Sequence, residues 1–157
     1  MFKTIIKVKL LNPACKIEVN PKGDWIDLRS SATRVCPKGK FVVIPLGVCV
    51  KLPAGYEAVI AARSSTYPRS FVYNPNAIGV IDNAYCGDDD EWKWLLYSCK
   101  DFDLHEGMRI CQFRVRLSQH ATWWQKLKWL FSSGVEIRYV DKLGGESRGG
   151  FGTTGVK

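Results

Sequence analysis

The sequence has no long hydrophobic run: nothing in its 157 residues approaches the roughly 18 apolar positions that a membrane-crossing helix requires. Its opening stretch, MFKTIIKVKLL, is broken by Lys3, Lys7 and Lys9 before a secretion-signal core can form, so a cytosolic protein is expected. Paired cysteine motifs are absent as well. Cys15, Cys36, Cys49, Cys86, Cys99 and Cys111 stand one at a time, none in a C-x-x-C pair, and neither His105 nor His120 lies at zinc-finger spacing from two of them. This argues against structural zinc and leaves reduced thiols that behave as small buried hydrophobes. No internal repeat or domain boundary is found, and the length is that of one domain, on the order of 100–200 residues. Acidic residues are in short supply: 15 Asp and Glu against 23 Lys and Arg give a net charge of +8, which favours an anionic partner. Nucleic acid, a nucleotide and an acidic membrane all satisfy that charge. No recognition-helix or ribonucleoprotein motif is present, so nucleic acid is not expected.

Hydrophobic residues at 46% and charged residues at 24% are the balance of a globular chain, which excludes a disordered or fibrous one. The pattern along the chain is one of short strands between turns. Thr4–Leu11 mixes β-branched residues with alternating lysines. Phe41–Pro45 reads as a short buried strand, Gly47–Leu52 alternates with period two, and Tyr56–Ala62, Met108–Val115 and Val135–Val140 complete the set. Turn signals such as Pro21-Lys22-Gly23, Pro37-Lys38-Gly39, Pro53-Ala54-Gly55 and Asn74-Pro75-Asn76 recur between them. The fold class expected is all-β, a sandwich or barrel.

Two segments depart from this pattern. Ala121–Ser132 reads ATWWQKLKWLFS, with Trp123, Trp124, Leu127, Leu130 and Phe131 at helical spacing around Lys126 and Lys128, and predicts one short amphipathic helix. The tail GGESRGGFGTTGVK is glycine-rich, has almost nothing to pack, and is expected to be mobile in isolation.

Several constellations could carry chemistry. Gly150 and Gly155 have the spacing of a phosphate-binding loop, but Val156 stands where its lysine belongs, which excludes a Walker motif. The tail still offers Arg148, Phe151, Thr153 and Thr154, able to wrap a polyphosphate and cover a base; a plain disordered terminus is the alternative. Arg63-Ser64-Ser65 at a strand end makes an anion cradle, though such a triplet is common in loops. Asp82, directly after an apolar strand, suits a general base on water or equally the cap of a turn. Asp88-Asp89-Asp90-Glu91 lacks the spacing of a calcium loop and reads as a solvated acidic turn.

The order of these segments is more specific than any one of them. GDWIDLRSS with Asp27, ARSS at 62–65, GVIDNAYCG at 79–87, GMRICQFRV at 107–115 and RGGFGTTG at 148–155 resemble the five ordered motifs of the homotrimeric dUTPases, in the wording of Gram-positive bacteria and their phages. The resemblance implies a distorted β-barrel or jelly roll over residues 1–143, a helical insertion at about 120–133, and a flexible arm at 144–157. It implies trimers in which each active site is built from three chains. The implied reaction is attack of water on the α-phosphorus of dUTP, giving dUMP and pyrophosphate, which keeps uracil out of DNA and supplies dUMP for thymidylate synthesis.

In the same resemblance Asp82 holds the 3′-hydroxyl and orients the water, and Gln112 acts with it at the reacting phosphate. Arg63, Ser64 and Ser65 contact phosphates. Asn76 to Tyr85 would form a hairpin that reads uracil, through the Asn76 amide and the backbone around Gly79 and Ile81. Uracil's acceptor–donor–acceptor edge suits a strand backbone, whereas the amino group of cytosine would face a donor. Tyr85 stacks on the deoxyribose and leaves no space for a 2′-hydroxyl. Arg148 meets the γ-phosphate, and Phe151, Gly152 and Thr153 close over the nucleotide. Mg²⁺ is the implied cofactor, with Asp27 reaching it through water.

The chain also departs from the family pattern. Asp24-Trp25 replaces a small pair before the first acid, and the arm is two residues shorter between Arg148 and Phe151 than the common R-G-x-x-G-F form. Trp92 and Trp94, just after the third motif, compete with Phe151 as the lid aromatic. The Trp123–Phe131 helix has no family role. It packs within its own trimer, meets a protein partner, or lies on a membrane interface. Two other functions stay open: a dCTP deaminase, for which Glu91 lacks the right surroundings, and a dUTPase-like regulatory trimer that binds a protein under dUTP control.

Overall fold

A computed structural model of the chain describes residues 2–149. Strands β1 (Phe2–Leu10), β4 (Phe41–Lys51), β6 (Val72–Tyr73), β8 (Glu91–Ser98) and β11 (Ser132–Tyr139) form one sheet in the order β11-β1-β4-β8-β6. Strands β2 (Ile26–Arg29), β5 (Tyr56–Ala62), β7 (Ile78–Ile81) and β10 (Arg109–Leu117) form a second, ordered β2-β10-β5-β7, and β3 (Arg34–Cys36) pairs with β9 (Phe102–Leu104). The pairings are antiparallel except that of β1 with β11. Two helices, α1 (Thr66–Ser70) and α2 (Trp123–Leu130), interrupt the strands.

Period-two burial produces the core. On β8, Trp92, Trp94 and Leu96 are buried while Lys93 between them is exposed. They join Ile6, Val8, Ile44 and Leu46 of the same sheet with Ile26, Leu28, Ile60 and Phe113 of the other, so the two sheets close on one hydrophobic interior. Trp92 stands edge-on to Phe113 across that interior, with ring centroids 5.1 Å apart. The all-β expectation holds.

Two details differ from the sequence reading. The segments expected as separate strands at Phe41–Pro45 and Gly47–Leu52 are one strand, β4, whose register with β8 slips between Pro45 and Cys49. Gly47 makes the irregularity, with φ of +67° and a backbone so close to Cys15 that a Cβ would lie 2.7 Å from its Sγ. Leu46 to Val50 are consequently all buried instead of alternating, and Phe41, expected inside, is 65% exposed. The helix forms where expected. Thr122 caps α2, accepting from Gln125 N at 3.3 Å, while its own N–H donates to Gln125 Oε1 at 2.7 Å. Within this chain α2 touches the barrel through Trp129, 5.5 Å from the Tyr56 ring, and through Gln125, which donates to Ala54 O, while Trp123, Trp124, Leu130 and Phe131 are exposed. No described helix is long and apolar enough to cross a membrane.

Candidate active site

The expected site residues fall into two groups. The first is built on the β2-β10-β5 face. Asp27 of β2, Gln112 of β10 and Ala61 of β5 share one register line, so the alternation that buries Ile26 and Leu28 turns Asp27 outward beside Gln112. Arg63 follows β5 and donates from Nε to Asp27 at 2.7 Å; Arg109 Nη1 donates to the other Asp27 oxygen at 3.1 Å. Gln112 Nε2 donates to Ala62 O at 3.1 Å. The Arg63 turn is held by Thr66, whose hydroxyl accepts from Arg63 N and donates to Ile110 O. Ser64 is exposed there and Ser65 half-buried at the start of α1. Behind this face Cys111 is fully buried, and burial together with the nearby Asp27 charge pushes its thiol pKa well up. Sequence reasoning did not single out Arg109; its signal is its position beside Ile110 and Cys111 in the fourth motif.

The second group surrounds the end of β7. Asp82 accepts two bonds from Arg148 Nη1 at 2.9 and 3.0 Å, and its Oδ1 also accepts from Ala84 N. It therefore caps its own turn while leaving its carboxylate at the surface. Asn83 anchors the turn by donating to Leu52 O and Pro53 O. The Tyr85 hydroxyl donates to Glu91 O at 3.0 Å; burial, and then the neighbouring Asp90 charge, raise its pKa above the ordinary 10.0. Asn76 is exposed in the turn that precedes β7, with its N–H donating to Asn74 Oδ1. The expected Asn76–Tyr85 hairpin does not pair with itself. Its strand, β7 with Gly79 and Ile81, pairs with β5 and is the outermost strand of its sheet.

These groups do not meet within one chain. Ala58 of β5 faces Ile81, and Ala61 faces Ile78, so Asp82 lies toward the start of β5 and Arg63 follows its end. At about 3.4 Å per residue they are separated by roughly 17–20 Å along the strand.

Two sequence readings are corrected. Trp92 and Trp94 are 0% and 1% exposed in the core and cannot serve as a lid. Only Asp89 of the acidic run is exposed as a solvated turn would be; the other three acids are held by the fold. Asp88 accepts from Leu143 N and Gly144 N and pairs with Lys9, Asp90 is 1% exposed, and Glu91 accepts from Gly47 N at 2.8 Å. The acids follow a turn that the chain's later segment crosses, and backbone N–H groups of that segment need acceptors. Glu91 is thus occupied in the fold and does not present the glutamate of a deaminase. Phe151, Gly152 and Thr153 lie outside the described residues.

The dUTPase family model matches residues 6–126 of the chain. Over 153 residues, 97% of this chain and 99% of its relative, it is 40% identical to an SPbeta prophage-derived deoxyuridine 5′-triphosphate nucleotidohydrolase of Bacillus subtilis. The chain belongs to the dUTPase family. The fold agrees: a dUTPase from Streptococcus mutans superposes with a TM-score of 0.67 at 17% identity, covering 74% of this chain and 98% of that one. A mutant dUTPase from phage phi11 of S. aureus, described with a coordinated structural Mg(II) ion, gives a TM-score of 0.65 at 18% identity over 74% of this chain and 93% of that one.

Proposed function

We propose that the chain hydrolyses dUTP to dUMP and pyrophosphate in sites that two or more copies complete together. The observation that carries the assembly is the separation just described. A water-orienting acid and phosphate-holding cations must meet around a single α-phosphorus, yet Asp82 and Arg63 lie at opposite ends of β5. A neighbouring copy that brings its Asp82 end to the Arg63 end of the first supplies both, and a homotrimer does this with closed symmetry. Exposed Ile78 and Val80 on the β7 edge give such a contact its apolar surface.

In this reading β7 reads uracil through its free backbone edge around Gly79 and Ile81, aided by Asn76, and Tyr85 packs on the deoxyribose. Asp82 accepts the 3′-hydroxyl and orients a water in line with the α-phosphorus. The water oxygen bonds to phosphorus, the bond to the bridging oxygen breaks, and the proton passes toward Asp82 and solvent as pyrophosphate leaves. An exposed carboxylate is a weak base, so positioning is its main contribution. Arg63, Ser64, Ser65 and Gln112 hold the phosphates, where electrostatic stabilisation is largest. Arg148 takes the γ-phosphate, with Phe151, Gly152 and Thr153 closing over the nucleotide from the arm.

The donor set fits Mg²⁺ only as a substrate-held ion. Among the described residues no three acidic, histidine or cysteine side chains group to cage a metal, and the Asp27 carboxylate already carries two arginines. Such a site suits an ion that keeps its waters and binds mainly through phosphates, with Asp27 touching it through water. When bound, Mg²⁺ neutralises charge on the phosphates. Arg63 and Arg109 are held by Asp27 until a triphosphate competes for them.

A reduced, cytosolic setting suits free thiols and a nucleotide substrate, in the host cytosol if the chain is phage-encoded. The bare face of Trp123–Phe131 is then a contact within the trimer, with a protein partner or with a membrane surface. A purely regulatory trimer is not favoured, since hydrolysis accounts for the family match and for the names of the relatives. The test is pyrophosphate release from dUTP, dCTP, dTTP and UTP in parallel. Release from dUTP alone, abolished by Asp82→Asn and by removing Mg²⁺ with a chelator, is expected; equal release from dCTP or UTP overturns the reading.

A further inference from the structure

Asp90 has no part in the chemistry just described, yet it is the most deeply buried of the chain's described acids, at 1% exposure. Its carboxylate accepts from Gly87 N at 2.8 Å, from the Ser147 hydroxyl at 2.9 Å, and from Arg148 N at 3.1 and 3.2 Å. Oδ2 braces the turn after Tyr85 through Gly87 N and also takes Arg148 N. Oδ1 holds the same segment through the Ser147 hydroxyl and Arg148 N, and the Arg148 guanidinium reaches Asp82.

A second, independent feature marks the same junction. Gly87 lies so close beneath the arm's root that a Cβ there would stand 2.6 Å from Ser147 Cα and 2.9 Å from Asp90 Oδ2. Gly145 is pressed in the same way against the backbone oxygen of Cys86. The turn and the arm's root are therefore fitted main chain to main chain, with the buried carboxylate between them accepting from both. Burial raises the Asp90 pKa, but the bonds from Gly87, Ser147, Arg148 and Gly149 outweigh it and leave it below the ordinary 3.8. The anion is the form the arm's root binds.

We propose that Asp90 is a positioning residue that docks the root of the arm onto the third-motif turn of the same chain and so sets where Arg148 points. This rests on the dUTPase reading for its catalytic consequence, but the docking itself does not. The carboxylate works because it takes several N–H and O–H donors at once, with no donor of its own to clash with them. An asparagine presents an NH₂ to at least one of those donors and leaves it unpaired in a buried place.

The experiment uses the full-length protein with Asp90→Asn, Arg148→Ala and the double variant, and Ser147→Ala as a milder probe should Asp90→Asn fold poorly. Steady-state dUTP hydrolysis is measured beside limited trypsin digestion, following the bond after Arg148 by mass spectrometry. Expected is cleavage after Arg148 about tenfold faster in Asp90→Asn, the effect of one lost hydrogen bond to a charged group. Ser147→Ala should give a smaller increase in the same direction. kcat/KM should fall by a similar factor in Asp90→Asn, and the double variant should fall no further than Arg148→Ala alone. An unchanged cleavage rate, or a full independent loss of kcat/KM on the Arg148→Ala background, overturns the proposal. Absence of any dUTP hydrolysis in the wild type would sink the functional reading instead, and the trypsin arm would still decide the docking.

Discussion

At the residue scale, the same side-chain types serve opposite purposes according to what the fold places beside them. Asp27 and Asp82 keep surface carboxylates held by arginines, which the proposed reaction assigns to the triphosphate. Asp88, Asp90 and Glu91 spend theirs on backbone N–H groups of distant segments. No one-dimensional feature separates the two kinds, since all five are acids near turns. The cysteines divide in the same way. Cys15, Cys36, Cys49 and Cys111 are buried, and burial pushes the pKa of Cys15 and Cys49 to about 11. Cys86 and Cys99 are half-buried. Iodoacetamide at neutral pH is expected to modify Cys86 and Cys99 in the native protein and the other four only after denaturation, because alkylation needs an accessible thiolate. Peptide mapping of the native reaction checks this, and labelling of Cys111 before unfolding would contradict the packing behind Asp27.

At the element scale, strand spacing was legible wherever one face is buried and the other wet. Tyr56–Ala62 matches β5 residue for residue, and β10 and β11 differ from their expected spans only at the ends. The alternation failed at β4, where the irregularity at Gly47 and the Pro13–Cys15 turn bury consecutive residues. Helix α2 was legible from its period, but not its attachment. Beside Trp129, α2 is held by Gln125, polar and at the third position of the helix, which completes the cap and donates to Ala54 O at 2.9 Å. Gln125→Ala is expected to cost about 1 kcal/mol of stability through loss of the cap and that bond. Thermal unfolding measures the loss, while dUTP turnover should be unchanged because α2 contributes nothing to either residue group. A drop in turnover without a drop in stability would place the helix in the site.

At the scale of the whole molecule, the two separated residue groups make a specific demand on assembly. Arg63→Ala and Asp82→Asn should each abolish activity in a pure oligomer. Unfolded together in equal amounts and refolded, they should regain about a quarter of wild-type activity, since some shared sites then combine an intact Arg63 with an intact Asp82 from different copies. Refolding each variant alone is the control. No recovery in the mixture, with mixed oligomers shown by mass, would mean that one chain builds its site unaided.

The sequence by itself determined the all-β class, the order of the five motifs and the position of the helix, and it named most of the residues proposed to face the substrate. These depend on local period and on short spacings, which a linear chain displays directly. Only the tertiary structure decided that Trp92 and Trp94 are core and not lid, that Arg109 shares Asp27, and that Asp90 ties the arm's root to the third-motif turn. Each of those depends on which strands become neighbours and which backbone donors arrive from far along the chain, as Arg148 does at Asp90. Pairing at that range is settled by closing the barrel around one core, and no local spacing encodes it.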